Sequence, residues 1–246
     1  MSASSSISPL DVCITVDLEP DCPPYLWTWR GIEEGTPELL ELFAREGIAG
    51  TYFTTGDTAQ KYPDAVHSLV GAGHELACHG MTHRAFPDLS DETVAWEIGR
   101  SAELLREFAP VTSFRAPYLR FPNRFLPLLE ASQFTLDSSQ AKYKRRPAAS
   151  AVPASIRRIP ASMTSSILRL PAQIRDPILR RLSSPVVLFV HPWEFVDLTK
   201  EQLRWDCRFR TGRPALESLR SVIKLFKARG ATFRRMDELV ALSRSA

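Results

Sequence analysis

No Cys-x-x-Cys spacing occurs among the four cysteines, Cys13, Cys22, Cys78 and Cys207. That argues against a thiolate zinc cluster or a redox dithiol motif, and the cysteines are too sparse for a disulfide framework. Cys13 and Cys78 fall inside apolar runs and read as small buried hydrophobes. Cys22 and Cys207 lie in loop-like stretches. No apolar run approaches the roughly 20 residues needed to cross a bilayer. The opening MSASSSISPL has neither a basic stretch nor an apolar core, so it does not read as a secretory signal. Residues 1–10 are expected to form a disordered tail, and the expected location is cytoplasmic. Net charge is scarce too: 31 basic against 28 acidic residues leave +3, which gives no ground for a nucleic-acid partner. Lys144-Arg145-Arg146, Arg157-Arg158 and Arg180-Arg181 read as solvated loops. There is no internal repeat.

What is present is an ordinary globular chain of 246 residues, 44% hydrophobic and 24% charged. That length suits one large domain, taken as residues 11–242. Strand-like and helix-like patterns alternate. Val12–Val16, Gly50–Thr54, His74–Cys78, Val111–Phe114, Phe134–Leu136, Pro185–Val190 and Ala231–Phe233 read as strands. Thr36–Glu46, Pro63–Ala72, Ser90–Phe108, Asn123–Ala131 and Pro214–Arg229 read as helices. Thr36 is the expected N-cap of its helix, with Pro37 in the first turn and Gly47 past the end. This rhythm argues for an α/β fold with a parallel sheet or barrel. Residues 138–184, rich in Pro, Ser, Ala and Arg, read as an irregular insertion around one strand, Ile156–Ile159.

Asp17, His79, Arg115, Asp137 and His191 each follow directly after a strand-like run. In parallel α/β folds ligands bind beyond the carboxyl ends of strands, so these five side chains are expected to converge on one mouth. His79 and His83 stand four apart, and on a helical turn both could reach one ion. Imidazole suits zinc, cobalt and other first-row divalent metals, with zinc the first expectation. Asp17 and Glu19 are two apart, so an extended strand end projects both to the same side. One carboxylate would then bind metal while the other takes a proton from water. Arg115 offers a planar fork to orient a carboxylate. His191, beside Pro192 and Trp193, suits protonation of a leaving amine, and Asp137 could orient its ring.

The ordered segments TVDLEPD, HELACHGMTH, FRAPY, FTLDSS and LFVHPWEF resemble the successive motifs of the NodB-type polysaccharide deacetylases, carbohydrate esterase family 4. The similarity is strongest to the branch with D-x-E in the first motif and HPWE in the last. It implies a single-domain distorted (β/α) barrel and metal-assisted removal of an N-acyl group, usually acetyl, from an amino sugar or its polymer. By resemblance Asp17 is the general base, and His79 and His83 are metal ligands. Arg115 orients Asp17, the Tyr118 backbone N–H stabilises the oxyanion, and His191 is the general acid tuned by Asp137. The second aspartate usual in the first motif is Leu18 here, so Glu19 is the expected substitute on the metal, with Asp21 the second choice. That departure keeps three other readings open: a non-catalytic carbohydrate-binding relative, a deformylase, or another amidohydrolase on the same barrel. The expected partner is an N-acylated amino sugar, free, polymeric or lipid-linked.

Overall fold

The computed structural model describes residues 10–26, 28–144 and 152–244. The tail expected at residues 1–10 thus lies, apart from Leu10, outside the described residues, as do Arg145 and Arg146. Strands β1 (Asp11–Leu18), β2 (Thr51–Thr54), β3 (Glu75–Cys78), β4 (Ser113–Phe114), β5 (Leu136–Asp137), β6 (Arg157–Arg158), β7 (Val186–Val190) and β8 (Thr232–Phe233) form one sheet. Every pairing is parallel, in the order β6-β5-β4-β3-β2-β1-β7, with β8 against the start of β1. The sheet curls until the stretch after β6 meets β7. There the Ser162 N–H donates to the Val187 carbonyl at 2.7 Å and the Val187 N–H donates to Ser162 Oγ at 3.0 Å. The expected distorted barrel is what results.

Between the strands run α1 (Thr36–Glu46), α2 (Gly56–Lys61), α3 (Pro63–Gly71), α4 (Asp91–Arg106), α5 (Leu126–Ala131), α6 (Ser165–Leu168), α7 (Ala172–Arg180), α8 (Trp205–Arg208), α9 (Arg213–Ala228) and α10 (Met236–Arg244). Ser90 caps α4, its side chain accepting the Thr93 N–H, as its position before an acidic first turn implies. Gly47 ends α1 in the left-handed region (φ 60), where glycine carries no Cβ penalty. Thr36 differs from expectation. It is already helical, because a wide turn over Gly31–Gly35 leads into it, and its hydroxyl bonds back to the Gly31 carbonyl at 3.3 Å.

Period-two alternation sorts the strands into two layers. Val12, Ile14, Val16 and Leu18 of β1 join the main core between sheet and helices, with Phe43, Tyr52, Leu76, Phe114 and Val222. Cys13, Phe53, Ala77, Leu136 and Val187 fill the barrel, closed at its foot by Met236, Leu239 and Val240 of α10. Each fully buried Leu, Val or Phe of this kind contributes about 1.5–3 kcal/mol. Cys13 and Cys78 are both buried, as expected.

Residues 138–184 are more ordered than the sequence suggests. Beyond β6, the Ile156–Ile159 expectation, they hold α6 and α7. Arg175 of α7 is buried, reaching the Ser218 carbonyl at 3.1 Å and Ser221 Oγ at 2.8 Å on α9. An arginine at a core position and Pro177 inside the helix conceal the amphipathic pattern.

A candidate metal and acid–base centre at the barrel mouth

β1 places Asp17 and Glu19 on the barrel side, two residues apart. Leu18 between them packs into the helix layer and is fully buried. Position 18 therefore faces away from the mouth in this chain, whereas Glu19 beside it faces in. One oxygen of Glu19, Oε2, is 3.2 Å from His79 Nε2 and 2.5 Å from His83 Nε2. The three ligand atoms lie within 4.8 Å of one another, and all three residues are buried. Asp21 is engaged elsewhere: its carboxylate accepts the Gly31 N–H at 2.9 Å and the Thr28 hydroxyl at 2.7 Å, folding the loop after β1.

His79 follows β3, but the His79–His83 segment is a tight loop and not the helical turn expected. Gly80 and His83 both take positive φ (78 and 56), which a helix does not allow. Glu97, fully buried on α4, replaces the missing helical bonds. Its carboxylate accepts the Met81 N–H at 2.7 Å and the Thr82 N–H at 2.9 Å, and the Thr82 hydroxyl as well. Sequence reasoning assigned Glu97 no role. Its signal was an acidic residue on the same helix face as Val94, Ile98 and Ser101.

The residues fit a divalent cation. His79 Nδ1 lies 2.7 Å from the Arg115 carbonyl. A carbonyl only accepts, so that nitrogen carries the proton and a neutral His79 turns an Nε2 lone pair toward Glu19. A lone pair and a carboxylate oxygen face each other favourably only across a proton or a cation. Burial alone would raise the Glu19 pKa; the charges of His83 and His191 outweigh it and hold the carboxyl well below its usual range. Two imidazoles and one carboxylate, with a backbone carbonyl orienting one ring, form a donor set suited to first-row ions.

Arg115, at the end of β4, is fully buried. Its Nη1 donates to Asp17 Oδ1 at 2.6 Å and to Thr15 Oγ1 at 2.8 Å, and its Nη2 donates to Ser138 Oγ at 3.0 Å. His191 follows β7 in register with Asp17. Its Nε2 is 4.0 Å from Asp17 Oδ2 and 3.8 Å from Glu19 Oε1. Its Nδ1 lies 2.8 Å from Glu194 Oε1, and Arg169 Nε approaches the other oxygen of Glu194 at 3.0 Å. Burial pulls the His191 pKa down, but Glu19, Glu194 and Asp17 together lift it to about 9. Glycines seat this segment. A Cβ on Gly35 would fall 2.1 Å from the Pro192 carbonyl oxygen, and one on Gly31 would fall 2.5 Å from the Trp193 nitrogen.

Asp137 corrects the expectation that it orients His191. Its carboxylate accepts from Arg158 Nε at 2.7 Å and from the Ser139 N–H at 2.9 Å, and Glu194 takes the place at His191. The reason is parity: Leu136 points into the barrel, so Asp137 points out and Ser138 points in again, onto Arg115. β5 has two residues, too few for the sequence to show which faces inward. Tyr118 sits in the left-handed region (φ 60), its ring edge-on to His83 with centroids 4.8 Å apart.

Asp17, Glu19, His83, Tyr118 and His191 line a cavity of about 340 Å³, walled also by Tyr25, Tyr143, Phe189 and Trp193. Cys22 and Cys207 come together at its edge, packed with Trp193 in one cluster.

A curled, all-parallel α/β barrel with a histidine–histidine–carboxylate trio at the carboxyl ends of its strands defines the class. The chain belongs to the polysaccharide deacetylase family, whose model matches residues 9–136. It is 36% identical over 89 residues to a chitooligosaccharide deacetylase of Sinorhizobium fredii, covering 34% of this chain and 40% of that protein. It is 32% identical over 113 residues to a peptidoglycan deacetylase of Helicobacter pylori, covering 44% and 37%. The matched region thus spans about two fifths of these relatives' own length. The fold matches a family 4 carbohydrate esterase from Streptomyces lividans in complex with acetate, with TM-score 0.63, 16% identity and 92% of each chain covered. A family 4 pseudoenzyme from Bacillus anthracis shares it too, with TM-score 0.64 and 15% identity over 95% of this chain and 69% of that one.

Proposed function

We propose that this chain is a metal-dependent hydrolase that removes the N-acyl group, in the first instance N-acetyl, from an amino sugar or its polymer. The observation that carries the reading is the juxtaposition of two sets of groups at one mouth. The Glu19–His79–His83 trio lies beside a carboxylate gripped by Arg115 and a histidine braced by Glu194.

Glu19, His79 and His83 would hold a divalent ion, zinc first, which when bound polarises an amide carbonyl and acidifies a water. Asp17 is the general base. Arg115 takes Oδ1 and leaves Oδ2 directed toward the mouth, near His191. His191, protonated at neutral pH, is the general acid: Glu194 fixes the Nδ1 proton, so Nε2 is the nitrogen that gives its proton to the departing amine. The Tyr118 backbone N–H is assigned to the oxyanion; Tyr118 lines the cavity with its ring against His83. The half-exposed rings of Tyr25, Tyr118 and Tyr143 offer apolar faces to a pyranose.

Acetate release from N-acetylglucosamine oligomers, before and after chelation and on readdition of zinc or cobalt, tests this. Activity that survives chelation and His79→Ala would sink the reading.

A further inference from the structure

Beside the catalytic cavity lies a second one of about 300 Å³, walled by Leu119, Phe121, Pro160, Gln140, Arg120 and Lys144 among others. Leu119 and Lys144 line both cavities, so the two share a wall. No acidic side chain lines the second cavity, although two cations do. Among the described residues neither Arg120 nor Lys144 makes an ion pair; Lys144 Nζ donates only to the Tyr118 carbonyl, at 2.9 Å. Most arginines elsewhere on this fold reach a carboxylate or a carbonyl. Arg120 and Lys144 are both exposed, yet partial desolvation of the Lys144 ammonium and the neighbouring Arg120 hold its pKa below its ordinary value. Like charges placed together without a counter-ion create a local positive potential that an anion relieves.

The backbone ties this pair to the reaction centre. Tyr118 and Leu119 are consecutive non-glycine residues at positive φ (60 and 52). Such residues cost on the order of 1–3 kcal/mol each and persist only where the surroundings hold them. The turn aims Tyr118 at His83 and, two residues on, sets Arg120 in the second cavity. The cavity that Arg120 lines adjoins the first one at Leu119 and Lys144.

We propose that the second cavity is an anion subsite, in which Arg120 and Lys144 bind a carboxylate or phosphate carried by the glycan whose N-acyl group occupies the first. The inference rests on the amidohydrolase reading for its substrate, but on the cation pair alone for its chemistry.

Three probes test it: the neutral N-acetylglucosamine tetramer, an N-acetylmuramic-acid-containing disaccharide for carboxylate, and N-acetylglucosamine 6-phosphate for phosphate. The expected result is a kcat/KM at least about tenfold higher on one anionic probe than on the neutral one, as a charge-assisted contact supplies. Arg120→Gln combined with Lys144→Gln should cut that ratio about tenfold, and raised salt should shrink it. The preferred probe identifies carboxylate or phosphate. An unchanged ratio in the double variant, or no preference for either anion, overturns the proposal. If no sugar is hydrolysed, the amidohydrolase reading fails separately. Calorimetric titration of wild type and double variant with the two anionic probes then decides the subsite, binding lost in the variant supporting it and equal or absent binding refuting it.

Discussion

Glu194 Oε1 lies 2.8 Å from His191 Nδ1, and Arg169 holds the opposite oxygen of the same carboxylate at 3.0 Å. The three form a buried relay behind the proposed acid. Glu194 is kept ionised against its burial by Arg169 first and by His191. Removing its charge takes away one of the influences that raise His191, so the His191 pKa falls from about 9. Glu194→Gln is expected to move the alkaline limb of the kcat/KM profile to lower pH and to lower kcat about 10- to 100-fold. A pH–rate profile of both proteins checks this; an unmoved limb would show that Glu194 is only a packing residue.

Asp137 and Asp17 make a contrasting pair. Asp137 bonds Arg158 outside the mouth, while Asp17 bonds Arg115 within it. Asp137→Asn is expected to cost stability, about 1–3 kcal/mol, and to leave the shape of the pH profile alone. Asp17→Asn leaves the fully buried Arg115 without its counter-ion, so it is expected to cost at least as much stability and, unlike Asp137→Asn, to lower kcat about 100- to 10,000-fold. Thermal melts and steady-state kinetics on both variants separate the two roles.

The trio at the mouth makes a prediction that needs no substrate. Glu19→Gln, which keeps the shape of the side chain and removes its charge, should lower zinc retention after dialysis at least about tenfold. Leu18→Asp should not restore it, because position 18 packs among helix-facing apolar side chains. Metal analysis of the purified variants is the measurement, and recovery of zinc in the Glu19→Gln, Leu18→Asp double variant would refute the geometry.

Gly35 approaches the Pro192 carbonyl too closely for any Cβ, at 2.1 Å. Gly35→Ala therefore has to displace the segment that carries His191. The expected cost is about 1–3 kcal/mol in stability, with a fall in kcat and unchanged zinc content. Denaturation midpoints and metal analysis together read both effects.

Glu75 sits at the foot of the barrel, accepting from Thr51 Oγ1 at 2.6 Å and from the Asp237 N–H at 3.0 Å. Burial, helped by Asp237, raises its pKa from 4.5 to about 7. The folded state thus binds this proton more tightly than the unfolded chain does. Stability contributed by the protonated form is complete below about pH 4.5 and is lost as pH rises through about 7, by on the order of 3 kcal/mol. Urea melts from pH 5 to 8 should show that decline in wild type and a flatter curve in Glu75→Gln.

Much of this was legible in the residues alone, and for a common reason. Strand–helix alternation, the Gly47 stop and the position of Asp17, Arg115 and His191 after apolar runs are local properties, written in side-chain period and turn chemistry. The choice of Glu19 beside an apolar Leu18 follows from the same period of two in a strand long enough to show it. What tertiary structure decided is what local pattern does not carry. β5 is too short to reveal that Asp137 turns outward, so only the pairing of Asp137 with Phe114 on β4, and of Ser138 with Arg115, settled its face. The His79–His83 pair needed a loop braced from α4 by Glu97, 14 residues and more away, since its own spacing equally suits a helix. The His191–Glu194 contact, by contrast, is local: Glu194 stands three residues on in one short turn, and its carboxylate also accepts the His191 N–H. Side-chain period determines which residues can face a site; which ones meet there is set by contacts between segments far apart in the chain.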